Sequence, residues 1–179
     1  MNTILKAAAA AVFTILSITG APIAAQAMDQ TMDPVTSGDL TIEPGWARAS
    51  ATPHAKAGAA FFVIHNKGGS DDVLIGADSG VGGKTEVHTH KHENGVMKMM
   101  PAGDVTVPSG GMVMMKPGGL HVMLMGLHGP LKEGEHFQVK LNFANTGEVT
   151  VPVTIMGVAA KGPGNGGHGH MQHGKTTTE

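Results

Sequence analysis

The sequence predicts an all-β sandwich or barrel in one domain, and three observations carry that expectation. Apolar runs are short and sit between Gly, Pro, Asn and Asp from residue 40 to about 158. Several of these runs alternate apolar and polar residues, the period of a half-buried strand. Beyond the first thirty residues, no window sustains a 3.6-residue apolar period over three turns. The expected strands are 40–42, 46–49, 59–66, 72–79, 84–90, 96–100, 105–107, 112–116, 121–127, 137–143 and 149–156. Turn chemistry separates them: Asn66-Lys67-Gly68-Gly69, Gly82-Gly83, Pro108-Ser109-Gly110-Gly111, Pro117-Gly118-Gly119 and Asn145-Thr146-Gly147. Asn94-Gly95 between two short runs is a hairpin signal, because both residues tolerate positive φ. A short helical turn is expected near 130–134.

The ends read differently. Residues 1–27 have the form of a signal peptide: Lys6, an apolar stretch over 7–20, and Ala25-Gln26-Ala27 as a cleavage site. The apolar stretch is too short to be read as a membrane span. With no cysteine at the cut, lipid anchoring is not expected. Residues 28–39 are polar and read as a flexible leader, residues 40–160 as the β domain, and residues 161–179 as a Gly-rich disordered tail. Cleavage near Ala27 implies export to the periplasm.

Composition excludes several function classes. Twelve basic against fourteen acidic residues give a formal charge of −2, and aromatics make up 3%. There is neither a basic stripe nor a set of stacking platforms for nucleic acid. No polybasic patch suggests stable membrane association, and the chain is expected to be a monomer. The absence of cysteine removes disulfides and also the thiolate that blue-copper electron transfer requires.

Eight of the thirteen methionines fall between Met97 and Met125. On a strand, His121, Met123 and Met125 share one face, and Leu120, Val122 and Leu124 share the other. The apolar set can face a core while the His/Met set faces a site. Across the Asn94-Gly95 hairpin, Met97 and Met99 can face His88 and His90, and a third, non-adjacent strand would add His121 and Met123. Imidazole and thioether ligands without thiolate suit Cu(I) better than hard divalent ions. Zinc would favour Cys, His and carboxylate. The proposed ligands are His88, Met99, His121 and Met123, with His90 and His92 as alternatives for the first position. Methionine is also an ordinary core filler. Met112 and Met114 are read that way, with Met115 on the opposite face, and Met97, Met100 and Met125 as packing around the site. Trp46 is read as core, and His54, His65, His128 and His136 as solvent-facing. In the tail, His168, His170, Met171 and His173 offer a nitrogen-rich second site suited to Cu(II).

The spacing His88, ten residues, Met99, twenty-one residues, His121-Val122-Met123 resembles the copper signature of the periplasmic PCu(A)C copper chaperone family. The stretch from Lys116 to Leu127, with Leu131-Lys132-Glu133-Gly134 after it, resembles the family's most distinctive text. Trp46-Ala47-Arg48-Ala49, Lys56-Ala57-Gly58-Ala59-Ala60 and Asn66-Lys67-Gly68 resemble its opening strands. The resemblance implies a cupredoxin-like Greek-key β-barrel with one exposed Cu(I) site. It also implies delivery of copper toward cytochrome c oxidase assembly, to oxidase subunit II or a thioredoxin-like assembly factor. A copper buffer that sequesters the ion without a dedicated acceptor is the competing reading. An enzyme is not expected, since a His-brace needs histidine at the mature N-terminus and cleavage here leaves Met28.

Overall fold

A computed structural model describes residues 32–93 and 95–163. The signal segment, Asn94 and the tail residues His168, His170, Met171 and His173 lie outside the described residues. Thirteen strands and no helix form among the described residues. They are β1 (Val35–Ser37), β2 (Leu40–Ile42), β3 (Gly45–Arg48), β4 (Ala57–Phe61), β5 (Val63–Asn66), β6 (Asp72–Ser79) and β7 (Gly82–Glu93). The rest are β8 (Val96–Pro101), β9 (Val105–Val107), β10 (Met112–Met114), β11 (His121–Leu127), β12 (His136–Phe143) and β13 (Gly147–Met156).

Two sheets result. One has the order β1-β2-β5-β10, the other β8-β7-β11-β4-β3-β13-β12-β6-β9. Every pairing is antiparallel except β3 with β13. Strands β6 and β7 stand second from opposite ends of the larger sheet, yet the two-residue turn Gly80-Val81 joins them. The Ser79 and Thr85 hydroxyls lie 3.0 Å apart across that junction. The larger sheet therefore curls back on itself, the barrel-like arrangement expected of the all-β class. Its interior is apolar: Phe62, Ile64, Leu74, Leu124, Leu141 and Val151 are all buried.

Several expectations are corrected. The span 59–66 is not one strand but two, divided at Phe62, with β4 in the larger sheet and β5 in the smaller. The run Ala59 to Ile64 is almost wholly apolar, so periodicity could not mark where the chain changes sheets; such corners are common where two sheets share a core. The leader 28–39 is not flexible throughout, because β1 lies within it and pairs with β2 through Gly38, whose φ of +55° closes the turn. Residues 130–134 form no helical turn; the Glu135 amide bonds the Lys132 carbonyl in a tight turn instead. Met112 and Met114 are not core fillers: each is 54% exposed on the edge strand β10, and only Met115 is buried.

Two buried polar groups fasten the loops beside β6. The Asp72 carboxylate accepts from the Val73, Asn145 and Thr146 amides and from the Thr146 hydroxyl, tying the start of β6 to the β12–β13 turn. Asn66 donates to the Ser70 and Val107 carbonyls and accepts from the Gly68 amide, so its side chain is fully paired.

Candidate metal site

Period-two alternation builds the site on the face of the larger sheet opposite Val122 and Leu124. Both of those are fully buried, while Met123 and Met125 on the other face of β11 are half-buried. The registers place the remaining groups. His121 stands directly opposite His88 on β7, and Met123 opposite Glu86 on β7 and Ala59 on β4. On the outer side of β7, His90 stands opposite Met99, His88 opposite Pro101, and His92 opposite Met97. Directly opposed residues point to the same side of a sheet. His88, His90, Met99, His121 and Met123 therefore share one face, on three consecutive strands β8, β7 and β11.

That corrects one expectation about the assembly. The strand carrying His121 and Met123 is not remote from the hairpin but hydrogen-bonded to β7. Met99 faces His90 directly, and His88 lies diagonal to it. The ring centroids of His88 and His121 are 6.1 Å apart, and those of His90 and His121 are 5.3 Å apart. Met99, His121 and Met123 line a hollow of about 340 Å³, closed on its other side by Ala57, Ala59 and the 48–55 loop. Beside His121, Trp46 stacks on Phe61 at 4.4 Å, and Phe61 lies 6.4 Å from the His121 ring. Trp46 is buried, the core position expected of it.

Hydrogen bonding selects the free nitrogens. A carbonyl can only accept, so His121 Nδ1–H donates to the Gly119 carbonyl at 2.9 Å, which leaves the Nε2 lone pair of the neutral ring available. Burial depresses the His121 pKa below its usual value of 6.5, outweighing the opposing bond to Gly119, and His90 and His88 add repulsion. The ring is therefore neutral at pH 7, the form that binds a metal. His88 Nε2–H donates to the Glu86 carboxylate at 3.2 Å. Its Nδ1 is buried and is the one such side-chain nitrogen or oxygen without a partner among the described residues. An orphaned buried acceptor is costly unless something fills it. Among the described residues, no group of three or more His, Asp or Glu side chains gathers to hold a metal on its own.

The family described as "Putative lipoprotein LpqE-like" matches residues 40–155. The chain belongs to that family. A curated relative, "Putative lipoprotein Lxx21020" of Leifsonia xyli subsp. xyli (strain CTCB07), is 31% identical over 142 residues, spanning 78% of this chain and 83% of the relative. Among solved structures, the apo PCuAC domain from PmoF1 superposes with a TM-score of 0.59 at 25% identity, covering 69% of this chain and 98% of that domain. The copper-bound PCuAC domain from PmoF2 gives 0.57 at 23%, covering 70% and 99%. Apo-DR1885 from Deinococcus radiodurans gives 0.53 at 24%, covering 88% and 97%. The fold is that of PCuAC domains, and the PCu(A)C resemblance read from the sequence holds.

Two members of the site in this LpqE-like chain escaped the sequence reading. Glu86 braces His88, and the Gly119 carbonyl orients His121 and also accepts from His90 Nδ1 at 3.3 Å. Glu86 was visible in principle, since it precedes His88 by two and must share its face. Gly119 acts through its backbone, and side-chain pattern carries no signal for that. His54, His128 and His136 are exposed, as expected, and half-buried His65 pairs with Glu43 at 2.9 Å.

Proposed function

We propose that this chain is an exported copper metallochaperone that holds one Cu(I) ion as cargo between His88, Met99, His121 and Met123. The observation that carries the reading is the pairing of a buried, unpartnered His88 Nδ1 with a neutral His121 whose Nε2 is free, directly across the β7–β11 ladder. Two thioethers on the same face complete a neutral, soft donor set that favours Cu(I) over zinc or hard cations. Glu86 and the Gly119 carbonyl orient the two rings, as outer partners of metal-bound histidines commonly do. The copper-bound PmoF2 domain and the PCuAC neighbours lend support through the shared fold.

Release follows from the same chemistry. Met99 is 48% exposed, so an acceptor can approach the ion from that side. A thiolate binds Cu(I) more strongly than a thioether, so transfer to a cysteine-bearing acceptor runs downhill by ligand exchange without a change of oxidation state. The acceptors we infer are the copper site of cytochrome c oxidase subunit II or a thioredoxin-like assembly factor in the periplasm. The tail residues His168, His170, Met171 and His173 would take Cu(II) and raise local copper by tethering. The test is transfer from the Cu(I)-loaded chain to a soluble oxidase copper domain. Loading of the acceptor, lost when Met99 and Met123 are both changed to Leu, is the expected result. Firm Cu(I) binding with no transfer would leave a buffer, not a chaperone.

A further inference from the structure

The β7–β8 hairpin continues beyond the pocket, and its two faces differ in kind. One carries Lys91 opposite Lys98 and Glu93 opposite Val96, with Glu93 bridging to both lysines at 3.7 and 3.3 Å. The other carries His90 opposite Met99 and His92 opposite Met97. This second face is the one that holds His88 and His121. Met97 and Met99 are 52% and 48% exposed, and His92 is exposed as well. Core packing therefore does not account for these thioethers, and a solvated ribbon has no folding need to present them in a row. Directly opposed side chains have Cβ atoms about 5 Å apart, within reach of one ion. Successive rungs on one face lie roughly 7 Å apart along the strand.

We propose that His92 and Met97 form a second, outer Cu(I) site at the hairpin tip, and that His90 with Met99 links it to the pocket. The inference rests on the pocket reading above, since it treats the pocket as the inner end of the ladder. Copper arriving at the tip is bound by one imidazole and one thioether, too few ligands to retain it. It then moves inward as His90 or Met99 bonds to the ion and Met97 lets go; each step exchanges one neutral ligand for another, and no electron or proton is transferred. Release runs the same path outward. The bulk of the ladder is exposed, so a partner can meet the ion at the tip without entering the hollow beside the 48–55 loop.

The test uses the full chain with the tail ligands replaced (His168→Gln, His170→Gln, Met171→Leu, His173→Gln), titrated with Ag(I), a redox-inert soft monovalent ion, while methionine methyl and histidine ring signals are followed by NMR. The first equivalent should move Met99 and Met123, and the second should move Met97 and His92. In the Met97→Leu variant the first response should remain and the His92 response should vanish. Stopped-flow transfer of Cu(I) from that variant to a chromophoric chelator should slow several-fold with equilibrium affinity unchanged. Met97 and His92 signals that stay still through two equivalents, or an unaltered transfer rate, would overturn the outer site. Met99 and Met123 signals that ignore the first equivalent would instead overturn the pocket, and the Met97 response is read separately in either case.

Discussion

His88 and His121 look alike in sequence, yet the fold presents them through different nitrogens: Nδ1 of His88 and Nε2 of His121 are the free lone pairs. Each choice depends on an outer partner. Changing Glu86 to Gln weakens that partner's hold on His88, because the amide lacks the charge that favours an N–H donor, and it frees Lys84, which pairs with Glu86 at 2.7 Å. Loss of such outer partners typically lowers metal affinity about 10- to 100-fold. We therefore expect Glu86→Gln to weaken Cu(I) binding within that range in a chelator competition, with stability to urea little changed, since Gln keeps the side chain's size at a half-buried position. Retained affinity would mean that Glu86 does not orient the ring. Position 86 was readable as a neighbour of the proposed ligand His88, but its contact became legible only in the structure, at 3.2 Å.

At the scale of elements, the β7–β11 ladder sets the site, and its register depends on close backbone approach. A Cβ at Gly82 would sit 2.6 Å from the Met125 carbonyl oxygen, a backbone atom that cannot move aside without disturbing the ladder. Gly82→Ala is expected to cost about 1–3 kcal/mol, as overpacking does elsewhere. It should also reduce Cu(I) affinity, because the strain falls on the strand pair that aligns His88 with His121; thermal unfolding and copper competition on one sample check both. The junction of β6 with the β12–β13 turn depends on Asp72. Burial raises its pKa, but the bonds to Thr146, Asn145 and Val73 outweigh that and hold the carboxyl below its usual 3.8. Folding therefore favours the ionised form. That stabilisation is complete above pH 3.8 and is lost as pH falls through the lowered folded value. Asp72→Asn should destabilise the protein by about 1–3 kcal/mol near neutral pH, since it leaves donors facing an amide. The gap in urea midpoint between the two proteins should narrow as the pH drops below 3.8 and toward the lowered folded value; a gap that widens as the pH falls would contradict the assignment.

Across the whole molecule, the strands with clean alternation or firm turn signals were legible: 40–42, 72–79, 105–107 and 121–127 agree with the structure residue for residue. What stayed hidden was of three physical kinds. The continuous apolar run through Phe62 conceals a change of sheet, and strand order, including the parallel β3–β13 pair, arises from long-range packing that local pattern does not encode. The edge position of β10, which exposes Met112 and Met114, depends on which strands find neighbours. The four proposed ligands were legible because they combine period-two alternation with unusual chemistry, on a β7–β8 hairpin and on β11 beside it. We propose that these four side chains together hold Cu(I). X-ray absorption on the full chain, with its four tail ligands replaced and one equivalent of Cu(I) bound, tests this most directly. We expect a first shell of two imidazole nitrogens and two thioether sulfurs, with the sulfur scattering lost in a Met99→Leu, Met123→Leu double variant. A shell of nitrogen and oxygen alone, or sulfur scattering unchanged in that variant, would contradict it.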